Sequence, residues 1–138
     1  MSQPRYANAP YHEGRGWTRH WLLKAGRALA FVDTHPAHGV DALKVSNLYV
    51  IPEHRGHDYG RTLVKSAMSQ FPDRDFVITP NPWKDKAVPR ERLAQLYGTL
   101  GFEKMAGERY KDLMIFRRPF AFKMGVLAAR EQIGHSCD

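Results

Sequence analysis

Leu48-Tyr49-Val50-Ile51-Pro52-Glu53-His54-Arg55-Gly56-His57-Asp58-Tyr59-Gly60-Arg61 is the stretch whose reading decides the fold: an apolar strand stops at Pro52, a loop with glycine follows, and a helix begins. A helix start presents N–H groups that lack intrahelical acceptors, together with the positive end of the helix dipole. A loop folded against it therefore suits a phosphate. Gly56 and Gly60 let the backbone approach closely. Glycine-bearing strand–loop–helix junctions also serve as plain connections, so the flanking chain must decide between the two.

Downstream, Leu63, Val64, Ala67, Met68 and Phe71 recur with helical spacing over Gly60 to Phe71, and Pro72 stops the helix. Phe76-Val77-Ile78-Thr79 is a short, nearly all-apolar run closed by Pro80 and Pro82, as in a strand buried on both faces. A strand, a helix and a strand in that order predict a right-handed crossover between parallel strands. Leu93, Leu96, Tyr97 and Leu100 form a second helical stripe from about Pro89 to Leu100, with Gly101 just past its end. Phe102 to Ala106 and Leu113 to Arg117 read as a closing pair of strands turned near Gly107.

Upstream, Ala42 to Ile51 is a strand preceded by the turn signal His35-Pro36-Ala37-His38-Gly39. Trp17 to Thr34 holds two apolar stretches around Lys24-Ala25-Gly26-Arg27, which predicts a hairpin turned at Gly26. The expected organisation is a loosely attached arm over 1–16, one domain over 17–118, and a tail over 119–138. The tail's apolar residues suit a sheet edge or a subunit interface.

Composition excludes several classes. The 138 residues are 43% hydrophobic and 25% charged, which is ordinary for one globular domain and unlike a disordered chain. No apolar run approaches a membrane span, and no secretory leader is visible at the N-terminus, so the cytoplasm is the expected compartment. Cys137 stands alone, without a second thiol for a disulfide or a metal. Lys and Arg number 21 against 14 Asp and Glu, a net charge of +7, which favours encounters with polyanions. Nucleic acid, an acidic protein surface and a nucleotide cofactor all fit that charge. The basic residues form no run, so a solvated basic surface is the plain reading. His35 and His38, like His54 and His57, sit three apart in loops, where a metal site is not expected.

A second segment, Leu96-Tyr97-Gly98-Thr99-Leu100-Gly101-Phe102-Glu103, adds to the first. Together they resemble the GCN5-related N-acetyltransferase (GNAT) family. The first segment is similar to its signature Arg/Gln-x-x-Gly-x-Gly/Ala, with Arg55 and Gly60 matching and Asp58 in place of the middle glycine; the second is similar to its L-Y-x-x-L-G-F-E segment. The likeness is close over about residues 43 to 103. It implies an α/β (α+β) fold with a central, mostly antiparallel mixed sheet and helices on both faces. It also implies an acetyl-CoA-dependent N-acetyltransferase, with the cofactor's pantetheine arm between the strands Ala42 to Ile51 and Phe76 to Thr79. Leu48, Tyr49, Val50, Arg55, Gly56, His57, Asp58, Tyr59, Gly60 and Arg61 would hold acetyl-CoA, and Tyr97 would be the acid that protonates the departing thiolate. Asp is among the few residues that tolerate a positive φ, but its charge beside a pyrophosphate is unfavourable.

Where many members carry a glutamate base, this chain has Asn47, which orients a water while Glu53, His54 or solvent takes the proton. Family members usually wall the acceptor site with one or two helices before the third strand. No convincing amphipathic helix precedes it here, so the expected acceptor is an amine of a protein, a chain terminus or a charged tRNA, unless a second subunit of a homodimer supplies the wall. Two other classes compete: a binding module on a degenerate site, and a basic nucleic-acid-directed protein.

Overall fold

The computed structural model describes residues 4–10, 16–81 and 89–119. One seven-stranded sheet carries the chain, in the order β1-β2-β3-β4-β5-β7-β6. Its strands are β1 (Arg5–Pro10), β2 (Thr18–Lys24), β3 (Arg27–Pro36), β4 (Leu43–Val50), β5 (Phe76–Ile78), β6 (Glu103–Lys104) and β7 (Met114–Phe116). The helices are α1 (Tyr59–Ser69) and α2 (Arg90–Thr99). The β2–β3 hairpin turns at Ala25 and Gly26, with φ of 53° and 76°; positive φ at both central residues gives the turn whose twist suits a two-residue hairpin. Within the segment expected as a loose arm, Arg5–Pro10 instead pairs antiparallel with β2 along its whole length. The tail from 120 onward lies outside the described residues.

The predicted crossover is present: β4 and β5 are parallel, joined through α1. β5 is antiparallel to β7 and β7 to β6, so β5 and β6 are parallel as well, joined through α2. Both crossovers step the same way across the sheet. Right-handed connections that step the same way lie on the same face. The packing agrees, because Leu63, Val64, Ala67 and Met68 of α1 and Leu93 and Tyr97 of α2 share one core cluster with Leu22, Val32, Val45, Phe76 and Ile78. The mixed, mostly antiparallel sheet is as expected. The expectation of helices on both faces is corrected to one face for the described helices. On the other face Ala42, Val77 and Ile115 form a smaller apolar cluster. Among the described residues no helix is long and apolar enough to cross a membrane.

Under the helices, His20 is buried and joins three strands: its Nδ1–H donates to Asn8 Oδ1 on β1, and its Nε2 accepts from Thr34 Oγ1 on β3 at 2.8 Å. Phe71 meets the ring edge-on, with centroids 6.2 Å apart. Burial penalises the imidazolium and lowers the His20 pKa from 6.5 to about 4, although the Asp33 charge opposes the shift. In the unfolded chain His20 takes up its proton near 6.5. Stability is therefore complete above that pH and falls as the pH drops toward 4, by roughly 3 kcal/mol for a shift of this size. Urea unfolding between neutral pH and pH 4 should show this loss in the wild type and a shallower slope in His20→Gln. Equal slopes would mean that His20 does not set the acid sensitivity.

Candidate functional site

The site is built by a parting of strands. β5 pairs with β4 only over Leu43, Lys44 and Val45, so Ser46 to Val50 have β3 beside them but no β5. β5 ends because Pro80 has no N–H to continue a ladder. β4 turns away at Asn47, whose φ is 59°. There the register with β3 slips, since Phe31 faces Tyr49 while Asp33 faces Ser46; two steps on β3 match three on β4, which is a bulge. The bulge is held from below. Asn47 Nδ2 donates to Asp33 Oδ2 at 2.9 Å, and Arg19 grips the fully buried Asp33 carboxylate with Nε at 2.7 Å and Nη2 at 2.9 Å.

A cavity of about 920 Å³ fills the gap. Its walls are the outer half of β4, the end of β5, the loop before α1, the first turn of α1 and one side of α2. Of the residues expected from the sequence, Asn47, Leu48, Tyr49, Val50, Arg55, Gly56, Asp58, Tyr59, Gly60, Arg61 and Tyr97 all line it, so residues distant in sequence converge on one space. Glu53 and His57 are exposed and stand outside the lining; His54 lies within it.

Contacts at Arg55 and the left-handed turn at Gly56 shape the loop. Arg55 closes it by donating Nε–H to the Val50 carbonyl at 2.9 Å, and its guanidinium lies over the Tyr49 ring at 5.4 Å. Gly56 takes φ +88°, where a side chain would be strained. Gly60 differs: a Cβ there would lie 3.6 Å from the side chains of Leu48 and Val50, an ordinary packing distance, so neither space nor backbone conformation requires glycine at this position. Asp58 has φ 64° and ψ 16°, the left-handed conformation anticipated for it, and its carboxylate makes no cap bond to α1. It faces Arg61 at 3.7 Å instead. Arg61 in turn donates Nε–H to Thr99 Oγ1 at 3.0 Å and so links α1 to α2.

Tyr97 is buried, edge-on to Phe102 with centroids 6.1 Å apart. Burial pushes its phenol well above the ordinary value, so it keeps its proton throughout the neutral range. Several lining residues escaped the sequence reading. Arg92, Gln95 and Thr99 line the cavity from α2 at a spacing of one helical face. That polar stripe beside the apolar one was the available signal. Lys44 and Ser46 also line it, on the strand face that alternates with Leu43 and Val45. Among the described residues the lining carries Lys44, Arg55, Arg61 and Arg92 against one carboxylate, Asp58. An open strand edge, amides at a helix start and this excess of cations fit coenzyme A: the edge for the pantetheine amides, the loop with Arg61 for the pyrophosphate.

The profile of the Acetyltransferase (GNAT) family matches residues 2–102. No curated protein matches the chain in sequence. Three similar solved structures bear acetyltransferase names. One, from Exiguobacterium sp. 255-15, has 23% identity and a TM-score of 0.54 over 75% of this chain and 64% of its own. A GNAT family N-acetyltransferase from Escherichia coli in complex with CoA has 16% identity and a TM-score of 0.55, over 74% of this chain and 59% of its own. The ribosomal-protein-S18-alanine N-acetyltransferase from Escherichia coli has 17% identity and a TM-score of 0.58, over 78% and 73%. The chain thus spans less than two-thirds of the first two relatives' length. At these identities the likeness shows the fold.

Asp58→Gly removes the left-handed strain and frees Arg61 from a competing carboxylate. Coenzyme A should bind about threefold to fivefold more tightly, the worth of an exposed ion pair, and the gain should shrink as salt rises. Calorimetry at low and high ionic strength measures it; weaker binding would show that the carboxylate supports the loop.

Proposed function

The chain belongs to the GNAT family of acetyltransferases, and from that premise we propose that it moves the acetyl group of acetyl-CoA to an amine of a protein or another macromolecule. The observation that carries this reading is the cavity at the parting of β4 and β5, with the cationic loop at one end and Tyr97 in its wall. Acetyl-CoA supplies an activated acyl carbon. The chain's own residues do the rest. The outer half of β4 offers backbone groups to the pantetheine arm and an N–H near Val50 to the carbonyl oxygen, the electrostatic help that acyl transfer needs most. The loop from Arg55 to Arg61 grips the phosphates. Asn47, anchored to Asp33, borders the place where the amine arrives.

Tyr97 serves as the acid for the departing sulfur. A phenol held above its ordinary pKa is a reluctant donor to a thiolate, but a buried thiolate is raised by the same loss of water, which narrows the gap between them. A macromolecular acceptor is favoured because, among the described residues, no helix stands between β1 and β3 to enclose a small amine. A cytosolic location belongs to the same reading.

Acetyl-CoA at 100 times its dissociation constant should stabilise the protein by about 2.7 kcal/mol, or roughly 10 °C in Tm. An unmoved melting curve at millimolar acetyl-CoA would refute the assignment of the site. For the acceptor, kcat/KM should be higher for peptides with a free amine than for glycinamide, and the reverse order would point to an enclosed small-molecule site.

Tyr97→Phe keeps the ring against Phe102, so folding and coenzyme A affinity should hardly change. Turnover should fall about 10²- to 10⁴-fold where loss of the thiolate limits the rate. The deficit should narrow in alkaline buffer, where a thiol of pKa about 8.5 leaves unprotonated. Steady-state rates of both proteins against pH decide it. Full activity in the Phe variant, with thiolate loss limiting, would leave Tyr97 a packing residue.

A further inference from the structure

On the cavity wall next to Asn47, Ser46 Oγ lies 2.9 Å from Nε2 of His35 on the neighbouring strand. The other ring nitrogen, Nδ1, lies 3.1 Å from the Pro36 carbonyl oxygen. A carbonyl only accepts, so Nδ1 carries the proton and Nε2 presents a lone pair to Ser46. The Ser46 hydroxyl donates to it, which leaves the Ser46 oxygen lone pairs for the cavity. Trp17 stacks flat on the imidazole at 3.9 Å and 7°, so the ring is fixed in plane. From these contacts we propose that Ser46 and His35 form the proton relay that deprotonates the acceptor amine, Ser46 touching the amine and His35 acting through Ser46. The proposal rests on the acetyltransferase reading and names the base that Asn47 cannot be.

The step balances as follows. The attacking nitrogen forms its bond to the acyl carbon with its lone pair and gives one proton to Ser46 Oγ. The Ser46 proton passes to His35 Nε2, and the carbon–sulfur bond breaks with its electron pair on sulfur. Tyr97 supplies that sulfur's proton, solvent re-protonates Tyr97, and the His35 imidazolium returns its proton to solvent. No outside reagent is needed.

The surroundings suit a base that is neutral at rest. Burial lowers the His35 pKa; the Pro36 contact and the Asp33 charge raise it, and the charges of Lys44 and His38 lower it. Arg19 holds the Asp33 carboxylate, so the nearest anion is already engaged. The net shift is downward, and the ring is ready to accept a proton at neutral pH.

The test uses the full chain, acetyl-CoA and a peptide with a free α-amine, which titrates near 8. In the wild type, kcat/KM should rise with pH below the amine pKa and steepen by one further unit slope below the ordinary histidine value of about 6.5. Ser46→Ala and His35→Gln should each lower kcat/KM at neutral pH about 10²-fold, the double variant no more than either one, and all three should lose the extra slope. Ser46→Thr, which restores a hydroxyl at the same place on a strand, should recover most of the rate. Melting curves and coenzyme A affinity, unchanged across the set, separate this from misfolding. A second readout needs no turnover: histidine nitrogen shifts of the unliganded protein should show Nδ1 protonated, with a titration midpoint below the ordinary value. Nε2 protonated at neutral pH would overturn the relay. So would variants that keep the extra slope, a loss that is additive in the double variant, or a protein that binds acetyl-CoA and acetylates no amine. Failure to bind acetyl-CoA at all would instead remove the acetyltransferase reading.

Discussion

A carboxylate without water is costly unless its charge and its lone pairs are all met. Asp33 is fully buried on β3, and it is met by both arms of Arg19 and by the amide of Asn47. That demand acts on the neighbouring strand. To reach the carboxylate, Asn47 takes a left-handed conformation in mid-strand, β4 gains a residue against β3, and its outer half leaves β5 behind. The cavity, the free strand edge and the convergence of the loop with α2 all follow from that departure. Arg19 is itself kept in place by the Phe31 ring, 4.1 Å beneath its guanidinium. The buried Asp33 contact thus shapes the place where the sheet opens.

Much of this was legible in the residues. Pro52, Pro72 and Pro80 mark the ends of elements correctly because a missing N–H is a local fact that no tertiary contact reverses. The stripe of Leu63, Val64, Ala67 and Met68 is buried as its spacing implied. The bulge left a trace that was not read: the apolar residues facing the helices are Leu43 and Val45, then Leu48 and Val50, so the alternation slips by one at Asn47. The strand over Arg5–Pro10 had no such trace. Its burial is slight, and its place comes from pairing with β2 and from Asn8 reaching His20, neither of which shows as periodicity.

The candidate site was legible where motif and backbone coincide and obscure where side chains meet across strands. Arg55 to Gly60 could be located from glycine spacing and a helix start. The meeting of His35 with Ser46 depends on a diagonal between β3 and β4, and the register that creates it is set by the bulge. In the same way, the placing of both helices on one face was implicit in the strand order, but that order appears only once β7 is known to lie between β5 and β6.

The cavity's charge also bears on the fold itself. Among the described residues, Lys44, Arg55, Arg61 and Arg92 border one space with a single carboxylate, Asp58, and like charges brought together by folding repel. Part of the fold's stability is therefore given up at this cavity. Seen this way, Asp58 is more than a departure from a glycine pattern. Beside Arg61 it is an internal counter-ion that offsets part of that repulsion.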